Sequence, residues 1–170
     1  MAVDDADNIN QLSQTAQQAG STLNVVVEVD VGMERYGVLP GEPALDLARL
    51  VCERPGLKFE GLLGYEGHAV FIKDRVVRRE TVHMSMGKLV RTAERIRESG
   101  INVHTISAGG TGTYDLTGIY PGVTEVEAGS YVLMDTYYRS IGLDFRCALT
   151  IFATVISAPA PRKAIIDAGL

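Results

Sequence analysis

The alternation of short apolar strands with amphipathic helices constrains this chain more than any other feature. Leu23-Asn-Val-Val-Val-Glu-Val-Asp30 is almost continuously apolar and β-branched, which suits a strand buried on both faces of a parallel sheet. Phe59-Glu-Gly-Leu-Leu-Gly-Tyr65, Val103 to Ser107 and Thr124-Glu-Val-Glu-Ala128 read as further strands. A first helix is predicted from Asp4 to Ala19, capped by Asp4 or Asp5 and stopped by Gly20, with Ile9, Leu12, Ala16 and Ala19 on one face. A second has Pro43 in its first turn, carries Ala44, Leu47, Ala48 and Val51 inward, and ends at Pro55-Gly56. A third runs from about Asp74 to Glu98, with Leu89, Val90, Ala93 and Ile96 at helical spacing and Ser85 to Gly87 as the place where it can break in two. Such alternation predicts a parallel α/β sheet or barrel. The end of the chain changes character: Ala148 to Ser157 and Arg162 to Asp167 read as two longer strands joined by Ala158-Pro-Ala-Pro161. The chain opens on a predicted helix with no strand before it and stops directly after a strand, so both ends read as cut.

Composition removes several functional classes. The 170 residues carry a net charge of −5, and the one basic run, Lys73, Arg75, Arg78 and Arg79, lies on a predicted helix. Phosphate-backbone binding needs a basic stripe, so nucleic acid is not an expected partner. Cys52 and Cys147 fit neither a zinc motif nor a disulfide framework, and their apolar neighbours predict buried reduced thiols. The apolar run Ala148 to Ala158 is too short to span a bilayer, and no basic region precedes an apolar one at the N-terminus. A soluble, cytoplasmic protein without a membrane partner is expected.

In parallel α/β folds, ligands meet residues just beyond the carboxyl ends of the strands. Four segments stand there: Asp30-Val-Gly-Met-Glu-Arg-Tyr-Gly37, Gly64-Tyr-Glu-Gly-His68, Ser107-Ala-Gly-Gly-Thr-Gly-Thr-Tyr114 and Ala128-Gly-Ser-Tyr131. Each offers glycine plus a hydroxyl, arginine or histidine. In the third, Gly109, Gly110 and Gly112 can point backbone N–H groups into one concavity, with Thr111 and Thr113 as hydroxyl donors, an arrangement that cradles phosphate without a lysine. It is neither a P-loop nor a dinucleotide fingerprint, and an ordinary flexible turn is the plain alternative. Arg35 can reach a ligand or pair with Glu34 or Glu66, and Tyr65 can reach a ligand or fill the core. His68 can serve as an acid or base, whereas His83 on a helix and His104 in a strand read as structural. No metal site is expected from three scattered histidines.

Val29-Asp-Val-Gly-Met-Glu-Arg-Tyr-Gly-Val38, Gly64-Tyr-Glu-Gly-His68, Ser107-Ala-Gly-Gly-Thr-Gly-Thr-Tyr114 and Glu127-Ala-Gly-Ser-Tyr-Val-Leu-Met-Asp135, in that order, resemble the D-threonine aldolase / D-serine dehydratase-like family. These are pyridoxal phosphate (PLP) enzymes with the alanine-racemase type of barrel, and the resemblance runs over essentially the whole chain. It implies a partial (β/α)8 barrel of PLP fold type III over residues 1–147, lacking its first strands, followed by the start of a C-terminal β domain over 148–170. It implies phosphate contacts at Gly110, Thr111 and Gly112 and at Gly129 and Ser130. The family's cofactor-side arginine matches Arg35 and its cofactor-contacting tyrosine matches Tyr65.

The same resemblance marks what is missing. The family's Schiff-base lysine lies upstream of this chain, and Lys58, Lys73, Lys88 and Lys163 do not replace it; the ligands of its divalent metal lie downstream. No catalytic residue is therefore assigned here. The expected function is that of a fragment of a PLP-dependent lyase of D-3-hydroxy amino acids, first the cleavage of D-threonine to glycine and an aldehyde, and second the dehydration of D-serine. A non-catalytic PLP-binding barrel or an inactive truncated product are the alternatives. The chain alone is expected to be inactive, its expected partners being a small D-amino acid and, by resemblance, a second copy in a homodimer.

Overall fold

A computed structural model describes residues 1–169. They divide into two compact units, Met1–Gly129 and the segment from Ser130 onward. The first unit runs β1 (Ala2–Val3), α1 (Ala6–Gln18), β2 (Leu23–Glu28), α2 (Glu42–Glu53), β3 (Leu57–Gly64), α3 (Arg75–Glu98), β4 (Thr105–Ala108), α4 (Tyr114–Thr117) and β5 (Glu125–Val126). Its five strands form one parallel sheet in the order β1-β2-β3-β4-β5. Parallel neighbours require crossovers, and each of the four contains a helix, α1, α2, α3 and the short α4.

Register explains the core. Val27, Leu62 and Ile106 are partners across β2, β3 and β4, and all three are fully buried. They pack in one cluster with Ile9 of α1, Ala48 and Val51 of α2, and Leu89, Ala93 and Ile96 of α3. The neighbouring row of partners, Glu28, Leu63, Ser107 and Glu125, points to the other face because side chains alternate along a strand. A sheet covered by helices on one face is how alternating strands and helices hide their apolar sides.

Several expectations are corrected. A strand does precede the first helix: Ala2 and Val3 pair with Val26 and Val27. β2 is fully buried only on the face of Val25 and Val27, while Asn24 is exposed and Val26 half-buried. On α1, Asp5 alone is the N-cap, accepting from Asn8 N–H at 2.9 Å; Ala19 is exposed, and Ser13 faces inward, donating to the Pro55 carbonyl at 2.7 Å. α3 is continuous through Ser85 to Gly87, because all three residues are buried and hold the helix on the sheet. Arg78, a member of the basic run, is 1% exposed and donates to the Ile72 carbonyl at 3.2 Å. Cys52 and Cys147 are exposed rather than buried.

In the second unit, a single 3-10 turn (Ser130–Val132) and α5 (Thr136–Ser140) precede the antiparallel hairpin of β6 (Val155–Ala160) and β7 (Lys163–Ile166). Asp135 caps α5, accepting from Tyr138 N–H at 2.8 Å. Residues 148–154 are not strand, although the apolar run predicts one from Ala148, and the strand itself extends to Ala160.

Candidate functional site

The loop after β2 is built to present Arg35. It folds back on its own strand: Asp30 N–H donates to the Val38 carbonyl at 2.8 Å, and Val38 N–H to Glu28 at 3.0 Å. Inside the loop, the Asp30 carboxylate accepts from the N–H groups of Gly32 at 2.9 Å and Glu34 at 3.1 Å. Burial alone would raise the Asp30 pKa, but those amides, the Met33 amide and the Lys88 charge together bring it below the usual aspartate value. The loop thus carries a fixed anion at its base and a guanidinium at its tip.

That guanidinium lies over two rings, 5.3 Å from the centroid of Tyr65 and 4.9 Å from that of Tyr36, within the range of cation–π attraction. Its ion pair is with Glu28 at 3.9 Å, neither Glu34 nor Glu66. Glu28 has a raised pKa, caused first by burial and then by the Asp4 and Glu127 charges, with Arg35 pulling the other way. Arg35, Tyr65 and Glu28 therefore form one group where β2 and β3 end.

The glycine-rich loop after β4 closes on the same place. A Cβ at Gly110 would lie 3.0 Å from Cε2 of Tyr65, so the ring packs tightly on the loop backbone and a side chain there would press on it. A Cβ at Gly112 would lie 2.7 Å from Val70 Cβ and 2.9 Å from the Val70 carbonyl. Gly110, Thr111 and Gly112 are all buried. Hence Arg35, Tyr65 and the loop 110–112 are neighbours at one end of the sheet.

The expected concavity of N–H donors is formed differently. Gly109 N–H donates at 3.1 Å to the carboxylate of Glu66, and Gly110 N–H donates at 3.3 Å to Thr113 Oγ1. The Thr113 hydroxyl itself donates to Glu66 at 2.6 Å, and that of Thr117 to the same oxygen at 2.5 Å. Glu66 is fully buried, and sequence reasoning missed it, treating it only as an ion-pair partner for Arg35. The one available signal was Thr113 and Thr117 at helical spacing behind a glycine run.

β5 continues the arrangement. Ser107 Oγ donates to Glu127 at 2.6 Å and to Glu125 at 3.0 Å, and Glu127 N–H donates to the Ala108 carbonyl at 3.0 Å. These contacts bring the chain past the end of β5 to Gly129, which is exposed with open space where a Cβ would stand. Ser130 opens the second unit, its carbonyl accepting from Met134 N–H at 2.7 Å. His68 is exposed, with Nε2 3.4 Å from Ser85 Oγ, and His83 meets Tyr120 edge-on at 5.2 Å. His104 is exposed and precedes β4 instead of lying in it. Lys88 reaches the end of β2 from α3, donating to the Val31 carbonyl at 3.3 Å. Among the described residues no three His, Cys, Asp or Glu side chains gather as a metal site, and no helix is long and apolar enough to cross a membrane.

Comparison with known proteins agrees with this architecture. The family described as alanine racemase, N-terminal domain, matches residues 1–136. The chain belongs to that family. This member is 40% identical over 177 residues to the D-threonine aldolase of an Arthrobacter species, covering all of this chain and 46% of that protein. The crystal structure of D-threonine aldolase from Filomicrobium marinum superposes with a TM-score of 0.94 at 32% identity, over 99% of this chain and 46% of that one. D-threo-3-hydroxyaspartate dehydratase from Delftia sp. HT23 superposes with a TM-score of 0.83 at 28% identity, over the same shares of each chain, 99% and 46%. The parallel sheet is thus part of an alanine-racemase-like barrel, and the chain spans about half the length of the curated relatives it matches.

The donor set of this family member can be tested against PLP, a dianionic phosphate joined to a flat aromatic ring. A cation, an aromatic face and a backbone loop drawn so close to Tyr65 and Val70 that a Cβ would collide are the features such a ligand needs, and they converge at one sheet end. The residues fit the group, with the amides of Gly109 and Gly110 turned inward, to Glu66 and Thr113, instead of outward.

Proposed function

We propose that this chain forms part of the cofactor-binding barrel of a PLP-dependent lyase acting on D-3-hydroxy amino acids, with cleavage of D-threonine-like substrates to glycine and an aldehyde as its reaction. The observation that carries the reading is the convergence of Arg35, Tyr65 and the loop 110–112 at the carboxyl ends of β2, β3 and β4. Whole-chain identity to a D-threonine aldolase supports the choice of reaction.

Each residue has a physical role in this proposal. Arg35 offers a fixed positive charge, its guanidinium set by Glu28 and the two tyrosine rings. Tyr65 supplies a flat wall and a phenolic oxygen for the ligand. Gly110, Thr111 and Gly112, with Gly129 at the neighbouring strand end, hold the phosphate. Bound PLP would supply an electron sink for negative charge developing on the amino acid. The residues of this chain bind and orient; the covalent anchor and the divalent metal belong to other parts of the whole protein.

The structural likeness to a D-threo-3-hydroxyaspartate dehydratase favours one second reading, dehydration of a D-3-hydroxy amino acid such as D-serine. Product analysis separates the two. The intact protein, supplied with PLP and a divalent metal, is incubated with D-threonine and with D-serine. Glycine with acetaldehyde from D-threonine is the expected result, whereas ammonia with a 2-oxo acid, and no glycine, would replace the aldolase reading by the dehydratase one.

A further inference from the structure

The fully buried Glu66 carboxylate has three donors and no ion-pair partner among the described residues. An unpaired charge in a protein interior is costly unless hydrogen bonds replace its water. Here every donor comes from the glycine loop or the turn of helix that follows it: Gly109 N–H, Thr113 Oγ1 and Thr117 Oγ1. Thr113 in turn accepts from Gly110 N–H, so the carboxylate reaches the second glycine through one hydroxyl. The residue just before Glu66 is Tyr65, whose ring occupies the space in front of Gly110. One dipeptide at the end of β3 therefore grips the loop twice, with a ring against Gly110 and a carboxylate behind Gly109.

We infer that Glu66 is a positioning residue for the cofactor site: its carboxylate fixes the distance between the Tyr65 ring and the loop 110–112. This inference rests on the proposal that these groups hold PLP. A carboxylate suits the task because it only accepts, and all three groups facing it donate. Glutamine keeps the length but sets an NH2 group against either the two hydroxyls, which share one oxygen, or the Gly109 N–H, so in both orientations a donor meets a donor. Alanine leaves the Gly109 amide and both hydroxyls without their acceptor. Aspartate is one methylene too short to reach the loop.

The test uses the intact protein as wild type and as Thr117→Val, Glu66→Gln and Glu66→Ala. Two quantities are read: the rate of PLP release, followed by its visible absorbance, and amide hydrogen exchange of residues 109–113 in the PLP-free protein. Both are expected to quicken in the order Thr117→Val, Glu66→Gln, Glu66→Ala. The last should change by about tenfold or more, as for loss of charge-assisted hydrogen bonds. Thr117→Val keeps the shape of its side chain and the Glu66 charge, so it reports even where Glu66→Ala does not fold. A role confined to general stability predicts lower unfolding midpoints with wild-type PLP release in every variant that folds, and that result overturns the inference. Wild-type exchange rates at 109–113 in folded Glu66→Gln and Thr117→Val would overturn it as well. If the wild type itself takes up no PLP, the proposed function falls, and this role for Glu66 falls with it, whatever the exchange rates show about the loop.

Discussion

Replacing Gly112 with alanine perturbs the candidate site with a single methyl group. The new Cβ would stand 2.7 Å from Val70 Cβ, 2.9 Å from the Val70 carbonyl and 3.0 Å from Val70 Cα. Carbon atoms in ordinary contact sit about 3.5–4.0 Å apart, so the overlap with Val70 Cβ is about 1 Å. Two of the three atoms met are backbone, so no side-chain rotation relieves it, and the loop must move away from the segment carrying Val70. Overpacking of this kind costs about 1–3 kcal/mol, and a backbone clash belongs at the upper end. For a protein of this size that lowers the melting temperature by roughly 5–10 °C. Gly129→Ala is the control, since nothing lies within 4 Å of its Cβ position. Differential scanning calorimetry of the two variants without PLP measures the destabilisation expected of Gly112→Ala alone, and comparison of Gly112→Ala with the wild type in the presence of PLP measures its weakened stabilisation by ligand. Equal melting temperatures for the two variants would refute the close approach of loop and Val70 segment.

Three other outcomes follow from the same geometry. Arg35→Ala removes a half-exposed guanidinium, 44% accessible at the side chain, so stability should change by less than about 1 kcal/mol while PLP affinity falls; a large drop in melting temperature with unchanged PLP titration would contradict this. Glu28 has a folded pKa above its unfolded value, so its contribution favours folding when protonated and is lost as pH rises from the ordinary glutamate value through the folded one. Denaturant titrations should therefore show the wild type losing stability relative to Glu28→Gln between acidic and neutral pH, and a flat difference would exclude the burial effect. Cys52 is accessible, but burial of part of its side chain and the nearby Glu53 charge raise its thiol pKa. Labelling by a disulfide reagent should proceed in the native protein and accelerate only above the usual thiol range; complete protection would place Cys52 in the core after all.

The elements that sequence reveals best are those whose own residues repeat. α2 is one case: Ala44, Leu47, Ala48 and Val51 recur at helical spacing, and all are buried. Cys52 misled because each helical step turns about 100°, so the residue after buried Val51 leaves the inward face. β1 was invisible: two residues carry no periodicity, and only pairing with Val26 and Val27 makes them a strand. Residues 148–154 show the converse, an apolar run with no partner strand among the described residues to make it one. At the site, the glycines announced a tight loop and the positions of Arg35 and Tyr65 announced side chains at strand ends. The direction of each N–H is set by tertiary contacts, so nothing local showed that Gly109 turns inward. Glu66 sits between tyrosine and glycine in a polar loop and reads as a surface acid. Its burial depends on hydroxyls 47 and 51 residues further along the chain.

The measurement that bears most directly on a cofactor site at the carboxyl ends of β2, β3 and β4 is a crystal structure of the intact protein with PLP. The phosphate is expected beside Thr111 and Gly112, with the ring against Tyr65 and within reach of Arg35. A second groove lies near the amino ends of β3 and β4, lined by Cys52, Lys58, Phe59 and His104. PLP bound in that groove, with the glycine loop empty, would contradict the assignment.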